Sequence, residues 1–214
     1  MLFRDREHAA RLLAEALSEY RGKHTLVLSI PRGAVPMGSI IADSLGGELD
    51  VILVRKLSAP SNPEYAIGSV NESGWVYVSD LAAATGATPE YIEQEKQRQL
   101  TIIHRRRAEY TPSRHSTDPA ERIVIVVDDG LATGATMIAA LHGLRELKPA
   151  GLVCAVPVAS METVDRVRQY ADDVVCLETP FNFQAVSQFY RDFPQVEDAE
   201  VIEILRRDKS VQKT

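Results

Sequence analysis

RIVIVVDDGLATGATMIAAL, residues 122–141, is the stretch that decides the fold. A run of mostly β-branched residues ends in two adjacent aspartates, a loop of Gly, Ala and Thr follows, and an apolar helical pattern then begins. Strands that are apolar along their whole length are typical of parallel sheets covered on both faces. The stretch therefore predicts a buried strand at 122–128, a glycine-rich turn and a helix at 135–147.

Strands and helices alternate on both sides of this stretch. Continuous apolar runs predict further strands at 25–30, 48–56, 151–157 and 173–177. Apolar periodicity, with helix-start and helix-stop residues, predicts further helices at 8–20, 37–45, 89–110, 161–170 and 197–207. This alternation is typical of an α/β fold in which helices flank a parallel sheet. The length suits a single domain over residues 1–214.

Two segments between the predicted strands have patterns of their own. LSAPSNPEYAIG, residues 57–68, is rich in Pro, Ser and Asn and predicts a loop. Residues 66–79 predict a hairpin that turns at 71–74. Thr88 and Pro89 are typical of a helix start and open the long helix.

Composition excludes several classes of protein. The net charge of -6 and the pI of about 5.4 argue against a partner that is mainly nucleic-acid backbone. No apolar run approaches the roughly 20 residues of a membrane span, and the N-terminus lacks a cleavable signal. Cys154 and Cys176 lie in apolar runs and are interpreted as buried reduced thiols. The histidines have no metal-ligand spacing, so we expect no permanent metal. Together these features predict a cytoplasmic protein without nucleic-acid or membrane partners.

The two aspartates and the loop after them form a candidate binding site. Ligands of open parallel sheets bind at the carboxyl ends of the strands, where Asp128 and Asp129 are predicted to lie. The loop can surround an anion with backbone N–H groups, the next helix adds its positive end, and Thr133 and Thr136 add hydroxyls. The pattern predicts a phosphate-binding loop. The alternative is an ordinary strand, turn and helix start with aspartates that only cap it.

The carboxylates need a ligand group other than the phosphate, because they would repel it. Carboxylates accept hydrogen bonds from vicinal hydroxyls and hold hydrated Mg²⁺. A phosphate beside a diol describes a ribose 5-phosphate. The sequence has no G-x-x-x-x-G-K-[ST], and no G-x-G-x-x-G follows the first strand, which disfavours nucleoside triphosphate and dinucleotide sites.

IVIVVDDGLATGAT resembles the phosphoribosyl pyrophosphate (PRPP) signature of the type I phosphoribosyltransferases, and LATGAT is most similar to the adenine and uracil members. The resemblance covers roughly residues 20–180. It implies that Asp128 and Asp129 hold the ribose hydroxyls and, through water, the Mg²⁺ that binds with PRPP. The residues that it assigns to the 5-phosphate are Ala132, Thr133, Gly134, Ala135 and Thr136.

One residue of the loop departs from a known branch of that family. Ala132 stands where the hypoxanthine-guanine type carries an aspartate that is proposed to act on the purine ring. Its absence leaves no evident general base in the loop. A 6-oxopurine substrate is therefore disfavoured.

A second loop resembles the part of the family that binds pyrophosphate. SIPRGAVPMG, residues 29–38, follows the first strand and supplies Pro31, Arg32 and Gly33. In the family a strained peptide here turns N–H groups inward. The alternative is an ordinary strand-to-helix turn with a surface arginine.

VRK, residues 54–56, resembles the Arg-Lys pair at a strand end of the orotate and adenine members. Arg55 and Lys56 would neutralise the leaving pyrophosphate, and the loop at 57–68 would close over the site. The alternative is a cationic strand end that faces water. Together with Arg32 these residues are the candidate catalytic cations.

Two regions lie outside the minimal fold of the family. The first is an insertion of about 80–120 with the helix 88–110. Its basic cluster predicts a solvated face or, alternatively, a subunit contact, and comprises Arg98, His104, Arg105, Arg106 and Arg107. The second, residues 179–214, resembles in position the hood that covers the base. Its aromatic residues could stack on a base or pack in the core; they are Phe181, Phe183, Phe189, Tyr190 and Phe193.

The resemblance implies Mg-dependent transfer of a phosphoribosyl group from PRPP to a nitrogen acceptor, a nucleobase or an analogue, with release of pyrophosphate. Two alternatives stay open: a non-catalytic protein that senses PRPP or a nucleotide, and a phosphoribosyl hydrolase. The three cations favour catalysis, because a sensor of ribose phosphate needs no pyrophosphate site. We expect PRPP and a small-molecule acceptor as ligands, and a homo-oligomer, a dimer.

Overall fold

A computed structural model describes residues 2–80, 82–112 and 116–211, and their helices and strands follow the predicted alternation. The α-helices are α1 Arg6–Ala16, α2 Val35–Leu45, α3 Pro89–Tyr110, α4 Ala135–Arg145, α5 Met161–Val167 and α6 Asp198–Val211. The strands are β1 Leu26–Ser29, β2 Glu48–Val51, β3 Val54–Ala59, β4 Asn62–Asn71, β5 Val76–Val78, β6 Ile123–Val127, β7 Gly151–Val158 and β8 Asp173–Glu178.

Five of the described strands form a parallel sheet in the order β2-β1-β6-β7-β8. Alternate side chains of each strand enter different cores. Ile125 packs with α1 and α2 on one face, whereas Val124 and Val126 pack with α4 and α5 on the other. The apolar strands are buried on both sides for this reason, and the predicted fold, a parallel sheet flanked by helices, is confirmed.

The strand order reverses between β1 and β6. The chain runs from β1 through α2 to β2 on one side, and from β6 through α4 to β7 on the other. The loops after these two strands therefore meet over a crevice at the carboxyl edge of the sheet. Open α/β sheets bind ligands at this topological position.

The strands β3, β4 and β5 form a separate antiparallel ribbon. It packs between two helices of the described chain. Ser69 Oγ donates to the carbonyl oxygen of Ala135 on α4 at 2.9 Å, and the hydroxyl of Tyr91 on α3 donates to Ser58 O at 2.8 Å. The hairpin predicted at 66–79 is thus part of a larger ribbon.

The prediction of a loop at 57–68 is wrong, because these residues complete β3 and form most of β4. The hairpin turns tightly at residues 60–61, where a proline is tolerated. An irregular register between Leu57 and Ala59 accommodates Pro63, which has no N–H to donate. The Pro, Ser and Asn content belongs to a tight turn and a bulge.

The single strand predicted at 48–56 is also wrong, because it divides into β2 and β3 in different sheets. Ile52 and Leu53 connect them and are buried in opposite cores. The connection is therefore as apolar as the strands, which hides the boundary in the sequence.

The long helix begins as predicted, since Thr88 caps α3 by accepting from Tyr91 N at 3.2 Å. The interpretation of its basic cluster as solvated fails at Arg107. This side chain is 14% exposed and pairs with Glu72 at 2.5 Å and with the fully buried Asp50 at 3.3 Å. Breaking such a buried pair costs roughly 3–5 kcal/mol, so the end of α3 is tied firmly to β2.

Both cysteines are free thiols, with Cys154 buried and Cys176 half-buried. Burial raises the pKa of Cys154 well above its ordinary value and that of Cys176 to about 11. Across residues 2–80, 82–112 and 116–211, no helix has the length and apolar character needed to cross a membrane.

Candidate active site

The loops after β1 and β6 lie side by side. Ser29 is paired with Val127 in the parallel register, and Ile30 N donates to Val127 O at 3.0 Å. The next residues of each chain segment, Pro31–Gly33 and Asp128–Asp129, therefore emerge together at the carboxyl edge of the sheet.

The loop after the aspartates enters α4 through a left-handed glycine. Gly134 is the N-cap residue with φ of 74°, and a Cβ added there would come within 2.9 Å of Thr163 Cγ2. Thr163 Oγ1 also donates to Ala132 O at 3.0 Å, and Arg166 Nη1 donates to Thr133 O at 3.2 Å. The start of α5 therefore fixes the outside of the loop, and its inside faces a cavity.

That cavity has a volume of about 170 Å³ and is lined by Asp128, residues 130–137 and Val186. The first N–H groups of a helix have no partner within the helix, and they lie at the positive end of its dipole. Ala132 and Thr133 are exposed at the rim. The glycine-rich turn that we predicted between the strand at 122–128 and the helix at 135–147 is present, and it lines a cavity beside the helix start.

Asp128 lines this cavity. Its Oδ1 accepts from the backbone N–H of Asp129 at 2.9 Å, which fixes the side chain. Burial, together with the neighbouring carboxylate of Asp129, raises the pKa of Asp128 well above its ordinary value. A hydroxyl donor or a cation at this carboxylate would stabilise its charged form.

Asp129 points to a second cavity of about 370 Å³, which is lined by Arg6, Arg32, Gly33, Asp129 and residues 193–196. Its Oδ2 accepts from Arg6 Nε at 3.0 Å and from Arg6 Nη2 at 2.8 Å. Burial raises the pKa of Asp129, and the Arg6 guanidinium opposes that rise. Asp128 thus lines the first cavity, and Asp129 lines the second.

Arg32 reaches over the second cavity. The Pro31–Arg32 peptide bond is cis. Arg32 Nη1 lies 3.3 Å from Glu197 Oε2 and 3.7 Å from Asp198 Oδ2, at the start of α6. Since the two acidic side chains are 66% and 45% exposed, an incoming anionic group could replace them.

Arg55 and Lys56 lie on opposite faces of the ribbon. Arg55 Nε donates to Gln99 Oε1 on α3 at 2.6 Å. Lys56 is paired in register with Ser69, and directly opposed residues of antiparallel strands share a face. That face contacts Ala135 at the start of α4, so the structure brings Lys56 toward the glycine-rich loop and holds Arg55 against α3.

Most of the C-terminal aromatic residues pack against the protein. Phe183 and Phe189 stack with ring centroids 5.6 Å apart, and Tyr190 and Phe193 lie 4.8 Å apart in a tilted pair. The Tyr190 hydroxyl donates to the carbonyl oxygen of Asp129 at 2.7 Å. Phe181, by contrast, is fully exposed in the segment after β8.

Sequence reasoning missed three residues of the site: Arg6, Arg166 and Tyr190. Arg6 lies 123 positions from Asp129 in the chain, at the start of a charged amphipathic helix. No local pattern marks it, because its role depends on where α1 packs. Tyr190 was recognised only as one of several aromatic residues.

The donor set fits a magnesium ion that arrives with its substrate. One carboxylate oxygen of Asp128 and one of Asp129 accept hydrogen bonds from protein donors. These bonds do not involve the other oxygen of either residue. The described residues contain no cluster of three or more His, Cys, Asp or Glu side chains suited to hold a metal ion. Mg²⁺ is commonly held by one or two carboxylates, water and substrate phosphates, which matches this pair.

A crevice with a glycine-rich loop at a helix start and an acidic pair, at the edge of a parallel sheet, is the arrangement that the sequence predicts. Residues 4–194 match the family of the phosphoribosyl transferase domain. The chain belongs to that family, and its fold is that of the type I phosphoribosyltransferases.

Relatives from two bacterial strains agree with this assignment. The chain is 41% identical over 207 residues to the Mycobacterium tuberculosis proteins "Putative phosphoribosyl transferase Rv0571c" (strain H37Rv) and "Putative phosphoribosyl transferase MT0597" (strain CDC 1551). The match covers 96% of this chain and 47% of each relative, so the chain spans about half the length of these proteins.

A solved structure is similar over nearly its full length. The crystal structure of the protein TT1426 from Thermus thermophilus is 44% identical, with a TM-score of 0.82. The similarity covers 97% of this chain and 99% of that chain. The fold described above is therefore shared with an experimentally determined structure.

Proposed function

We propose that this chain transfers the phosphoribosyl group of PRPP to a nitrogen acceptor, a nucleobase or an analogue, in a Mg²⁺-dependent reaction that releases pyrophosphate. The observation that carries the proposal is the meeting of two cavities at one acidic pair. One cavity adjoins a helix N-terminus, and the other adjoins Arg32. A ribose with a phosphate at one end and a pyrophosphate at the other has this distribution of groups.

The ribose 5-phosphate would bind between the helix start and the aspartates. The N–H groups and hydroxyls of residues 132–136 would receive the phosphate oxygens. The carboxylate oxygens that Asp128 and Asp129 do not use within the protein would accept from the ribose hydroxyls. Mg²⁺ would join these carboxylates to the substrate through water and would add positive charge beside the pyrophosphate.

The pyrophosphate would lie toward Arg32 and Lys56. Arg32 would exchange its exposed acidic partners on α6 for pyrophosphate oxygens, a stronger and bidentate interaction. Lys56 would approach from the ribbon face that meets α4. Arg55, which bonds Gln99, is assigned a role in fixing the ribbon to α3.

The reaction breaks the bond between C1 and the pyrophosphate oxygen, which leaves with the electron pair. The acceptor nitrogen donates its lone pair to C1 from the opposite face, and the proton that it carries passes to solvent. The protein contributes orientation and cationic stabilisation of the leaving group. Exclusion of water from C1 would prevent hydrolysis of the ribosyl centre.

The direct test is release of pyrophosphate with a panel of acceptors. Purified protein is incubated with PRPP, Mg²⁺ and one nucleobase at a time, and pyrophosphate and nucleotide are measured together. We expect equal amounts of both products with at least one acceptor, and none when Mg²⁺ is removed by a chelator.

Two results would contradict transfer and select an alternative. Binding of PRPP without turnover on any acceptor would indicate a sensor. Pyrophosphate and free ribose 5-phosphate formed without an acceptor would indicate a hydrolase.

A further inference from the structure

Arg6 enters the candidate site from a part of the chain that the motifs do not include. It is the first residue of α1, which Asp5 caps by accepting from His8 N at 2.7 Å. Its side chain is 11% exposed and lines the same cavity as Arg32 and Gly33. A guanidinium this well enclosed has a fixed position.

The guanidinium is held on three sides. Nε and Nη2 both donate to Asp129 Oδ2, at 3.0 and 2.8 Å. Nη1 donates to Pro194 O at 2.5 Å, and the guanidinium carbon lies 3.7 Å from the centre of the Phe193 ring. The planar fork of arginine suits this combination of stacking and paired donors, whereas a lysine ammonium could reproduce only part of it.

Both bonds from Arg6 to Asp129 end on the same carboxylate oxygen. The orientation of the carboxylate is therefore fixed while Oδ1 is left to another donor. Asp128 is anchored in the corresponding way, because its Oδ1 accepts from Asp129 N. In each aspartate these hydrogen bonds are made to one carboxylate oxygen and not to the other.

We propose that Arg6 is a positioning residue for ribose binding, which orients Asp129 so that its Oδ1 accepts from a ribose hydroxyl. This inference rests on the proposed function, because it takes a ribose phosphate as the ligand. Arg6 also connects the segment 193–194 to the acidic pair, so that the wall of the cavity and the carboxylate are fixed together. The effect passes through Asp129, and Arg6 need not touch the substrate.

A purely structural role predicts different measurements. If Arg6 only tied α1 to the C-terminal segment, its loss would lower stability and weaken every ligand to a similar extent. If it positions Asp129, its loss weakens ligands with ribose hydroxyls and affects inorganic phosphate much less, because the loop proposed for phosphate lines the other cavity, which Arg6 does not line. Ribose 5-phosphate and inorganic phosphate separate the two cases.

The experiment measures binding of both ligands by calorimetry to the wild type, Arg6→Met, Arg6→Lys and the control Arg11→Met. Arg11 lies on the same helix, where its exposed side chain pairs with Glu7 away from the site. Arg6→Met should weaken ribose 5-phosphate about tenfold or more, the scale of one lost charge-assisted hydrogen bond. Its affinity for inorganic phosphate should change by less than about threefold.

Arg6→Lys keeps the charge and tests the geometry. We expect a ribose 5-phosphate affinity between those of the wild type and Arg6→Met, and at least about threefold below the wild type, because the ammonium lacks the fork. If Arg6→Met does not fold, as judged by thermal denaturation, the binding measurements on Arg6→Lys alone test the inference. Arg11→Met should bind both ligands as the wild type does.

Three outcomes overturn the inference: unchanged binding of ribose 5-phosphate by Arg6→Met, equal weakening of both ligands, or wild-type binding by Arg6→Lys. These are distinct from failure of the proposed function. The proposed function fails if the wild type turns over PRPP with no acceptor, or if the wild type itself binds neither PRPP nor ribose 5-phosphate.

Discussion

At Gly33 the chain has no room for a side chain. A Cβ there would lie 2.2 Å from Asp129 Oδ2 and 3.1 Å from Arg6 Nη2. The loop that carries Arg32 thus packs directly against the ion pair that holds the second aspartate. Close approach of one backbone to a functional group is a physical reason for glycine at this position.

Gly33→Ala should therefore weaken PRPP binding. The methyl group must displace either the carboxylate or the loop, and a clash of this kind costs roughly 1–3 kcal/mol, or about 5- to 150-fold in affinity. Gly151→Ala is a matched control, because a Cβ there would lie 3.8 Å from Ile123 and meets ordinary contact distances. Calorimetry with Mg-PRPP would reveal the effect, and equal affinities of the two variants would show that the loop tolerates the methyl group.

The residues of the site differ in how far the sequence predicts them. Asp128, Asp129 and the loop after them are contiguous, so their chemistry is visible in one motif. Arg6 and Tyr190 reach Asp129 from distant segments. Their role arises from tertiary packing, and neither composition nor spacing indicates it.

In the ribbon β3-β4-β5, two neighbouring cations, Arg55 and Lys56, lie on opposite faces. Alternation along β3 sends Arg55 to Gln99 on α3 and puts Lys56 on the face of Ser69. A pair of basic residues in a strand cannot act on one ligand from the same side. Lys56 is therefore the member that we propose for the pyrophosphate.

Lys56→Ala should lower kcat by about 10²-fold or more, the scale of one lost electrostatic stabiliser. Negative charge grows on the leaving pyrophosphate, so the ammonium interacts more strongly in the transition state than in the ground state. Binding of the nucleoside monophosphate product, which lacks that group, should change little. The exposed Lys23 precedes β1 at the other edge of the sheet, and Lys23→Ala is the control.

Steady-state kinetics with PRPP and the best acceptor measures the change in kcat of Lys56→Ala directly. An active enzyme indifferent to Lys56→Ala would assign the pyrophosphate to Arg32 without help from the ribbon. Arg55→Ala is expected to lower the free energy of unfolding, since it removes the bond to Gln99, and to lower kcat less than Lys56→Ala does.

The elements that the sequence predicts well are those with one dominant pattern. The buried strand β6 and the capped helix α3 have such patterns, and their bounds match to within a few residues. The hairpin of β3 and β4 was missed because proline and serine at a tight turn resemble a loop, whereas the hairpin of β4 and β5 was predicted. The boundary of β2 and β3 was missed because Ile52 and Leu53 are buried in two different cores.

Across the whole molecule, segments from both ends of the chain converge on the carboxyl edge of the sheet. Phe3 forms a bridge with Tyr190, and the Tyr110 hydroxyl donates to Asp198, which in turn lies near Arg32. The described part of the C-terminal segment thus contacts α1, α3 and both functional loops. Alternation of strands and helices predicts the sheet, but this convergence depends on contacts between residues far apart in the chain.

Binding of Mg-PRPP to the acidic pair is the central claim, and titration calorimetry tests it most directly. The wild type should bind Mg-PRPP with one site per chain. The variant that combines Asp128→Asn with Asp129→Asn should lose roughly 1.5–3 kcal/mol of binding free energy for each carboxylate, together about a hundredfold or more in Kd. Because Asp129→Asn also weakens the buried pair with Arg6, thermal denaturation establishes that the variant is folded at the temperature of the titration. Asp165→Asn, at an exposed pair with Arg168, should bind as the wild type does. A wild type that does not bind Mg-PRPP, or a double variant with unchanged affinity, would contradict the claim.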